Sequence, residues 1–431
     1  MDFISDISLV DGPVLWLAIA AGVSGSAYLL WRRRRMWLVV ILAAAAAAVG
    51  IIWLVHWLLI YVFSTFPEEL PREVLAWSVP PVAALLLAIL RLPRSSWRGR
   101  VASIAAAAGV VLLSAVQINA YFGLNHTVAD VTGTAVARIG PLEDSLKRHG
   151  PGTSVTVRQW QATGDMPSNG TLRKATIPGT ESGFAARDAF VYLPPAYLAN
   201  NRPKLPVLVL FAGQPGAPAD WLTGGALRSQ MDRFAARHGG VAPVVVVVDP
   251  NGTPNGNTLC MDSKIARADT YLSRDVPSWI RGTLDVDQDP KQWAVGGFSF
   301  GGTCAMQMGT RHPDVYPSIL AFSSEKEPAL AKERRKTIEA SFGEDTAAFE
   351  SQTPLGVMEK QKFSGKAAYF AVGSRDPEFI AYMNLLADSA RKAGFDVEAR
   401  QVPNAGHSWE TPAKGMQAAL DFLAARWGVQ G

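Results

Sequence analysis

Apolar residues are concentrated in the first 120 positions of this 431-residue chain, where they form four long stretches. The stretches cover residues 14–30, 36–63, 74–90 and 101–118. Each approaches or exceeds the roughly 18 to 20 residues with which a helix crosses a bilayer, so we predict four membrane-spanning helices in residues 1–120. The third stretch is short and contains Pro80 and Pro81, which should kink its helix. A cleaved signal peptide is the alternative for the first stretch, but an acidic leader precedes it where a basic one is expected.

Charged residues in the loops between these stretches predict how the chain threads the membrane. The first loop holds four consecutive arginines, residues 32–35, and four more arginines lie between residues 91 and 100. The intervening loop, residues 64–73, holds three glutamates and one arginine. Because arginine-rich loops stay in the cytoplasm, we predict that both ends of this region, and everything after residue 120, are extracytoplasmic.

The net charge of +4 comes mostly from the same loops, since nine arginines face six acidic residues in residues 1–120. The rest of the chain is nearly balanced, so the basic character predicts topology and gives no indication of a nucleic-acid partner. The two cysteines, Cys260 and Cys304, both lie in the predicted outer part. An oxidising location permits a disulfide between them, and two buried free thiols are the alternative. No spacing typical of a zinc site occurs, and we expect neither a metal nor an organic cofactor.

Strand-like and helix-like segments alternate from residue 171 onward. This pattern is typical of an α/β domain with a mostly parallel sheet covered by helices, which we place at residues 171–431. Strands are predicted at residues 171–177, 189–193, 206–211, 244–248, 293–297, 318–322, 367–372 and 397–402, and helices at 225–238, 271–282, 301–311, 378–393 and 416–427. Residues 121–170 form a juxtamembrane connector, either partly helical over residues 127–149 or an ordinary packed segment.

A G-x-S-x-G sequence with Ser299 at its centre follows the strand predicted at residues 293–297. Such a sequence makes a sharp turn between a strand and a helix and exposes the serine hydroxyl at its apex, with glycine where side chains would not fit. The motif is short enough to occur by chance, so its value depends on the strand before it and on partner residues. We predict that Ser299 is a nucleophile for ester chemistry.

A nucleophilic serine needs a general base, and His407 is the best placed of the six histidines. It directly follows the last predicted strand, and reactive groups in parallel sheets emerge at the carboxyl ends of strands. The others lie in a membrane stretch, in the connector or at helix ends: His56, His126, His149, His238 and His312.

The base needs a carboxylate that orients it. Asp376 follows the strand at residues 367–372 and is the predicted acid. Glu378 is the main alternative, and Glu325 and Glu327 are weaker ones.

The negative charge that develops on the substrate needs two N–H donors. We expect one from the amide of Phe300, the residue after the nucleophile. The second should come from the turn after residues 206–211, where Gly213 and Gln214 lie.

Together these residues resemble the α/β-hydrolase superfamily, and within it the esterase branch that includes esterase D-type enzymes and secreted mycolyltransferases. The resemblance covers about residues 171–428 and implies Ser299, Asp376 and His407 as a catalytic triad. It rests on the turn at residues 297–301, the strand end at 211–214 followed by Asp220 and Trp221, the position of Asp376, and His407 followed by Trp409.

The resemblance also implies that Asp220, Trp221 and Trp409 line the substrate pocket. The chain departs from it at residues 211–213, which are Phe-Ala-Gly where many such esterases have His-Gly-Gly. The choice of second oxyanion donor therefore stays open between Gly213 and Gln214.

We therefore expect a membrane-anchored serine esterase whose substrate is an ester of a lipid or of a cell-envelope component. An acyltransferase of the mycolyltransferase type, using the same triad, is one alternative. A hydrolase fold that binds without catalysing is another.

Overall fold

A computed structural model describes residues 7–32, 36–148, 155–162, 164 and 166–429 of the chain. They fall into two compact units, Met1–Thr134 with Leu330–Glu333, and Ala135–Ala329 with Arg334–Gly431. Three arginines of the first arginine-rich loop, residues 33–35, and His149 lie outside the described residues, as do residues 1–6 of the acidic leader.

Four long helices dominate the first unit. They are α1 (Gly12–Leu30), α2 (Trp37–Trp57), α3 (Arg72–Arg91) and α4 (Trp97–Phe122). A π-helical turn, Leu58–Val62, extends α2, and α3 runs unbroken through Pro80 and Pro81. Within the described part of the chain, these four helices are long and apolar enough to cross a membrane. Many of their large apolar side chains, such as Trp16 and Trp53, are mostly exposed, which suits a surface that faces lipid.

Glycines allow α1 and α4 to approach closely. A β-carbon on Gly25 would overlap the backbone of Ala106, and one on Gly109 would crowd the carbonyl of Ala21. Small residues at such contacts are typical of helices that associate within membranes, where packing rather than the hydrophobic effect holds helices together.

The second unit contains one eight-stranded sheet, so the predicted α/β fold is confirmed. Its strands are β1 (Thr171–Ala175), β2 (Ala189–Leu193), β3 (Val207–Phe211), β4 (Val244–Val248), β5 (Trp293–Phe298), β6 (Ser318–Phe322), β7 (Ala367–Gly373) and β8 (Asp396–Val402). They lie in the order β1-β2-β4-β3-β5-β6-β7-β8. Strands β1 and β2 are antiparallel to their neighbours, and β3 to β8 run parallel. All eight strands coincide with the predicted segments.

The central strands are buried because helices cover both faces of the sheet. Every residue of β3, β4 and β5 is buried, which explains their nearly continuous apolar sequences. The helices of the chain after α4 are α5 (Val128–Val131), α6 (Thr134–Ala137), α7 (Leu227–Arg237), α8 (Ala268–Thr270), α9 (Val276–Thr283), α10 (Phe300–Arg311), α11 (Arg334–Phe342), α12 (Thr346–Glu350), α13 (Pro354–Lys360), α14 (Pro377–Ala393) and α15 (Glu410–Trp427).

Two regions differ in detail from the prediction. The helix expected at residues 271–282 is present as a π-helical turn, Tyr271–Asp275, followed by α9. Helices α11 to α13 were not predicted, because each is only five to nine residues long and they are separated at Gly343 and Thr353-Pro354. In the connector, the described residues include the one-turn helices α5 and α6, and residues 140–142 pair with Lys174 of β1.

Candidate active site

Ser299 is the single residue between the end of β5 and the beginning of α10. Its backbone has φ 57° and ψ −123°, a positive-φ conformation that residues other than glycine seldom adopt. Its N–H donates to the carbonyl of Phe322 on the neighbouring strand β6 at 2.9 Å. Strained backbone of this kind persists only where the surroundings hold it, and it places the serine side chain at the carboxyl edge of the sheet.

The two glycines of the motif are required by close backbone approaches. A β-carbon on Gly297 would overlap the carbonyl group of Gly301. One on Gly301 would overlap the backbone of Phe211 and Ala212, at the end of β3. The first turn of α10 therefore packs against the end of β3. The turn that follows β3 is the one predicted to supply the second oxyanion donor.

His407 lies between Ser299 and Asp376 and is hydrogen-bonded to both. Its Nε2 is 2.9 Å from Ser299 Oγ, and its Nδ1 is 3.0 Å from Asp376 Oδ2. Asp376 is buried, so its carboxylate accepts the Nδ1 proton in a position shielded from water. This leaves Nε2 as an acceptor facing the serine hydroxyl. Such a series of three groups is able to remove the serine proton and to stabilise the imidazolium that forms.

The alternative carboxylates are engaged with other groups. Glu378 is exposed and accepts from the Tyr382 hydroxyl at 2.6 Å. Glu327 pairs with Arg334 at 2.9 Å, and buried Glu325 accepts from the Thr303 hydroxyl at 3.1 Å. The geometry therefore favours Asp376 as the partner of His407.

Hydrogen bonds between two loops hold the acid and the base together. The loop after β7 carries Asp376, and the loop after β8 carries His407. The amide of Arg375 donates to Ala405 at 2.9 Å, and the amide of Asn404 donates to the Ser374 hydroxyl at 3.0 Å. Because the two strands are parallel neighbours, these short links set the distance between the two side chains.

Two phenylalanines pack against the His407 ring, and sequence reasoning did not assign them to the site. The ring centroid of Phe298 lies 5.2 Å from that of His407, and the Phe379 centroid lies 4.0 Å from it. Their ring planes make angles of 30° and 34° with the imidazole. Phe298 stands directly before Ser299 and Phe379 shortly after Asp376, so proximity to predicted site residues was the available signal. The packing limits rotation of the imidazole and keeps water from its faces.

Two of the predicted oxyanion donors lie next to Ser299. Phe300 is the first residue of α10, and a β-carbon on Gly213 would lie 3.6 Å from the Ser299 β-carbon. Among the hydrogen bonds of the described residues, none has the backbone N–H of Phe300, Gly213 or Gln214 as donor. All three amides are thus free to face a substrate oxygen, and the choice between Gly213 and Gln214 stays open.

Two of the residues expected to contact the substrate, Trp221 and Trp409, are buried. Trp221 has no exposed surface, and its indole N–H donates to the Phe211 carbonyl at 2.9 Å. Its ring packs on Trp409, which is also buried and in turn packs on Phe298. The burial of Trp221 favours a supporting role beneath the site over direct contact with substrate.

Asp220 caps its own loop. Its carboxylate accepts from the amide of Ala217 at 2.8 Å. Burial raises the pKa of Asp220 to about 6, while the Ala217 amide and Arg187 oppose that rise.

We expect Asp220→Asn to gain stability relative to the parent as the pH rises. The folded-state pKa of Asp220 is about 6, above the ordinary 3.8. The folded chain therefore binds this proton more tightly than the unfolded chain, and protonation of Asp220 favours folding. That contribution is lost as the pH rises through the folded-state pKa, whereas asparagine does not titrate and still accepts from Ala217. Thermal unfolding of both full chains in detergent micelles, at pH 5 and pH 8, measures this. An equal Tm difference at the two pH values would contradict the expectation.

Cys260 and Cys304 form a disulfide bond, with their Cα atoms 5.5 Å apart. Of the two possibilities left open by the sequence, the bonded pair is the one observed, and the alternative of two free thiols is wrong. Cys304 lies on α10 and Cys260 in the long loop after β4. The bond therefore ties that loop to the helix that begins at the nucleophile.

Comparison with known proteins places the second unit among hydrolases. The family described as "Putative esterase" matches residues 185–423. An uncharacterised protein of Corynebacterium glutamicum is 32% identical over 433 aligned residues, covering 98% of each chain. A ferulic acid esterase structure has a TM-score of 0.52 at 20% identity, covering 60% of this chain and 99% of its own. For an S-formylglutathione hydrolase from Agrobacterium tumefaciens the values are 0.50 and 19%, covering 61% and 98%. At such identities, the two structural likenesses show a shared fold.

Proposed function

Because the chain belongs to this esterase family of α/β-hydrolases, we propose that it is a serine esterase in which Ser299, His407 and Asp376 form the catalytic triad. The observation that carries the proposal is the hydrogen-bonded series from Ser299 through His407 to Asp376. A strained serine, a base within hydrogen-bond distance and a buried carboxylate behind that base are the parts that acyl transfer needs.

In the proposed reaction, Ser299 Oγ attacks the carbonyl carbon of the ester while His407 Nε2 takes its proton. The resulting oxyanion accepts hydrogen bonds from the amide of Phe300 and from that of Gly213 or Gln214. Collapse of this intermediate breaks the bond to the alcohol, which leaves with the proton from His407. A water molecule, deprotonated by His407, then attacks the acyl group on Ser299, and the acid and the free serine are released.

We further propose that the substrate is an ester of a lipid or of a cell-envelope component. Four helices that are long and apolar enough to cross a membrane precede the esterase unit in the same chain. The arginine-rich loops favour an orientation in which the esterase unit lies outside the cytoplasm. The Cys260–Cys304 bond supports the same location, since disulfides persist in oxidising compartments.

Product analysis on the full chain in detergent micelles tests the reaction class. The chain is given an acylated phospholipid or a soluble p-nitrophenyl ester, with and without a sugar or lipid alcohol as acceptor. Hydrolysis predicts free acid in equal amount to the released alcohol, whether or not the acceptor is present. A new ester of the acceptor would instead favour acyl transfer, and a folded chain that turns over none of these esters would favour a binding role.

Protease treatment of intact cells tests the orientation. A C-terminal tag should be removed from intact cells if the esterase unit lies outside, and it should be protected if the orientation is reversed. A cytoplasmic protein followed in the same samples controls for lysis.

A further inference from the structure

A long loop after β4 contacts both the nucleophile helix and the loop that carries the second oxyanion donor. We name residues 249–262 the bridge loop and residues 212–221 the oxyanion loop. We propose that the bridge loop holds the oxyanion loop in register with Ser299, with Arg187 and Asp249 as positioning residues. This inference rests on the proposed function, because it concerns the geometry of the same site.

Three covalent and polar links fasten the end of the bridge loop to α10. The Cys260–Cys304 disulfide is the first. The side chain of Gln307 donates to the Leu259 carbonyl at 2.8 Å, and that of Arg311 donates to the Cys260 carbonyl at 3.2 Å. Since α10 begins directly after Ser299, this end of the bridge loop is fixed relative to the nucleophile.

The middle of the bridge loop contacts the oxyanion loop. The amide of Gly216 donates to the Pro254 carbonyl at 2.9 Å. The side chain of Gln214 donates to the Asn255 carbonyl at 3.4 Å. These contacts fall one and three residues after Gly213, in the segment that must present an N–H group to the substrate.

Asp249 organises the start of the bridge loop. Its side chain has no exposed surface and accepts from the amides of Asn251 and Gly252, both at 3.0 Å. It also accepts from the backbone N–H of Arg187 at 2.8 Å. A carboxylate that accepts from several amides at once fixes the path of the chain around it, because each amide loses a partner if the chain moves.

The guanidinium of Arg187 joins Asp249 to the oxyanion loop. Its Nε and Nη2 donate to the two carboxylate oxygens of Asp249 at 2.9 and 2.7 Å. Its Nη1 donates to the carbonyl of Gly216 at 3.0 Å. The planar fork of arginine makes these three bonds at once, and a lysine ammonium, which is a single point of charge, does not reproduce that geometry.

Together these contacts hold the middle of the oxyanion loop, which the two ends of the loop do not fix. The loop begins at β3 and ends at Trp221, which is buried against the core. Between these ends, Gly216 is held on its N–H side by Pro254 and on its carbonyl side by Arg187. Oxyanion stabilisation depends on a donor that is in place before charge develops, so a looser loop weakens binding of the transition state more than that of the ester.

The experiment compares Arg187→Lys with the parent full chain in detergent micelles. Arg237→Lys is the matched control, because Arg237 is half-exposed and pairs with Asp421 away from the bridge loop. Active sites are counted by titration with a fluorophosphonate, so that kcat and KM on a soluble ester are expressed per active site. The inhibition constant of a trifluoromethyl ketone, which forms a tetrahedral oxyanion adduct on a serine, is measured in parallel.

For Arg187→Lys we expect kcat per active site to fall by roughly 10- to 100-fold with KM within about twofold of the parent value. The trifluoromethyl ketone should bind more weakly by a similar factor, and Arg237→Lys should match the parent. Unchanged kcat per active site, even with fewer active sites titrated, would show that Arg187 only supports folding and would overturn the inference.

The double variant Cys260→Ser/Cys304→Ser tests the other end of the bridge loop. It should lower kcat per active site and weaken binding of the trifluoromethyl ketone, as Arg187→Lys does, again with KM nearly unchanged. A double variant that kept the parent values of kcat per active site, KM and the inhibition constant of the ketone would overturn the inference. A parent chain that the fluorophosphonate labels but whose variants behave as the parent refutes only the positioning role, whereas an inert parent refutes the proposed function itself.

Discussion

Ser299→Ala is expected to lower kcat on a soluble ester by roughly 10⁴- to 10⁶-fold, leaving only the rate that binding and the oxyanion donors provide. The serine oxygen lies 2.9 Å from His407 Nε2, and alanine removes that oxygen while His407 remains. Alanine has the same steric difficulty as serine at a φ of 57°, so the bend between β5 and α10 should be kept.

The measurement is steady-state hydrolysis by the full chain in detergent micelles, with Ser229→Ala as control. Ser229 lies on the exposed side of α7, and its hydroxyl donates to the carbonyl of Ala226, the residue directly before that helix. Its replacement should leave kcat and KM unchanged. Retention of more than a tenth of the parent activity by a folded Ser299→Ala variant would exclude Ser299 as the nucleophile.

Asp376→Asn is expected to lower kcat by roughly 10³- to 10⁴-fold while KM changes little. The carboxylate accepts from His407 Nδ1 at 3.0 Å, whereas an asparagine amide turned toward the ring favours the wrong tautomer and offers no charge to the imidazolium. Since the two side chains have nearly the same shape, the surrounding loops should stay in place.

Glu378→Gln is the matched control, because Glu378 is exposed, lies two residues away and bonds to Tyr382. We expect its kcat to stay within about twofold of the parent value, as is usual for an exposed side chain that does not contact the reacting groups. If Glu378→Gln lost activity and Asp376→Asn kept it, the acid would be Glu378, and the assignment of Asp376 would be wrong.

The predictable parts of the fold are those with strong local patterns. The five valines of β4 predict a buried strand by themselves, and the alternation of such strands with helices predicts the parallel sheet. The four apolar stretches of residues 1–120 likewise predict long helices, and all four are present. Helices α11 to α13 were missed because each is only five to nine residues long, too short to show a helical period of apolar positions.

The three residues of the proposed triad could be chosen from the sequence, because each follows a recognisable strand and their order along the chain restricts the choices. Their mutual distances were not, since these depend on links between distant loops, such as the bond from Arg375 to Ala405. The packing of Phe298 and Phe379 on His407 was equally hidden, because the three rings come from three separate segments of the chain.

The bridge loop shows the same limit most clearly. Its residues have no regular pattern, and Arg187 stands more than 60 positions before Asp249. Trp221 shows the converse. The family resemblance implied that Trp221 lines the substrate pocket, but its buried indole packs against Phe322 and Trp409. A sequence position predicts which loop a side chain belongs to, and only tertiary packing decides which way that side chain faces.

Covalent labelling of the full chain by a fluorophosphonate, followed by mass spectrometry of its peptides, tests most directly whether Ser299 is an activated nucleophile. Isolated membranes containing the chain are treated with the probe, and the modified residue is located. We predict one adduct per chain, on Ser299, formed by the parent and by Glu378→Gln, and absent from Ser299→Ala. A folded parent chain that takes up no probe, or an adduct on any other residue, would contradict the assignment of Ser299 as the nucleophile of a serine esterase.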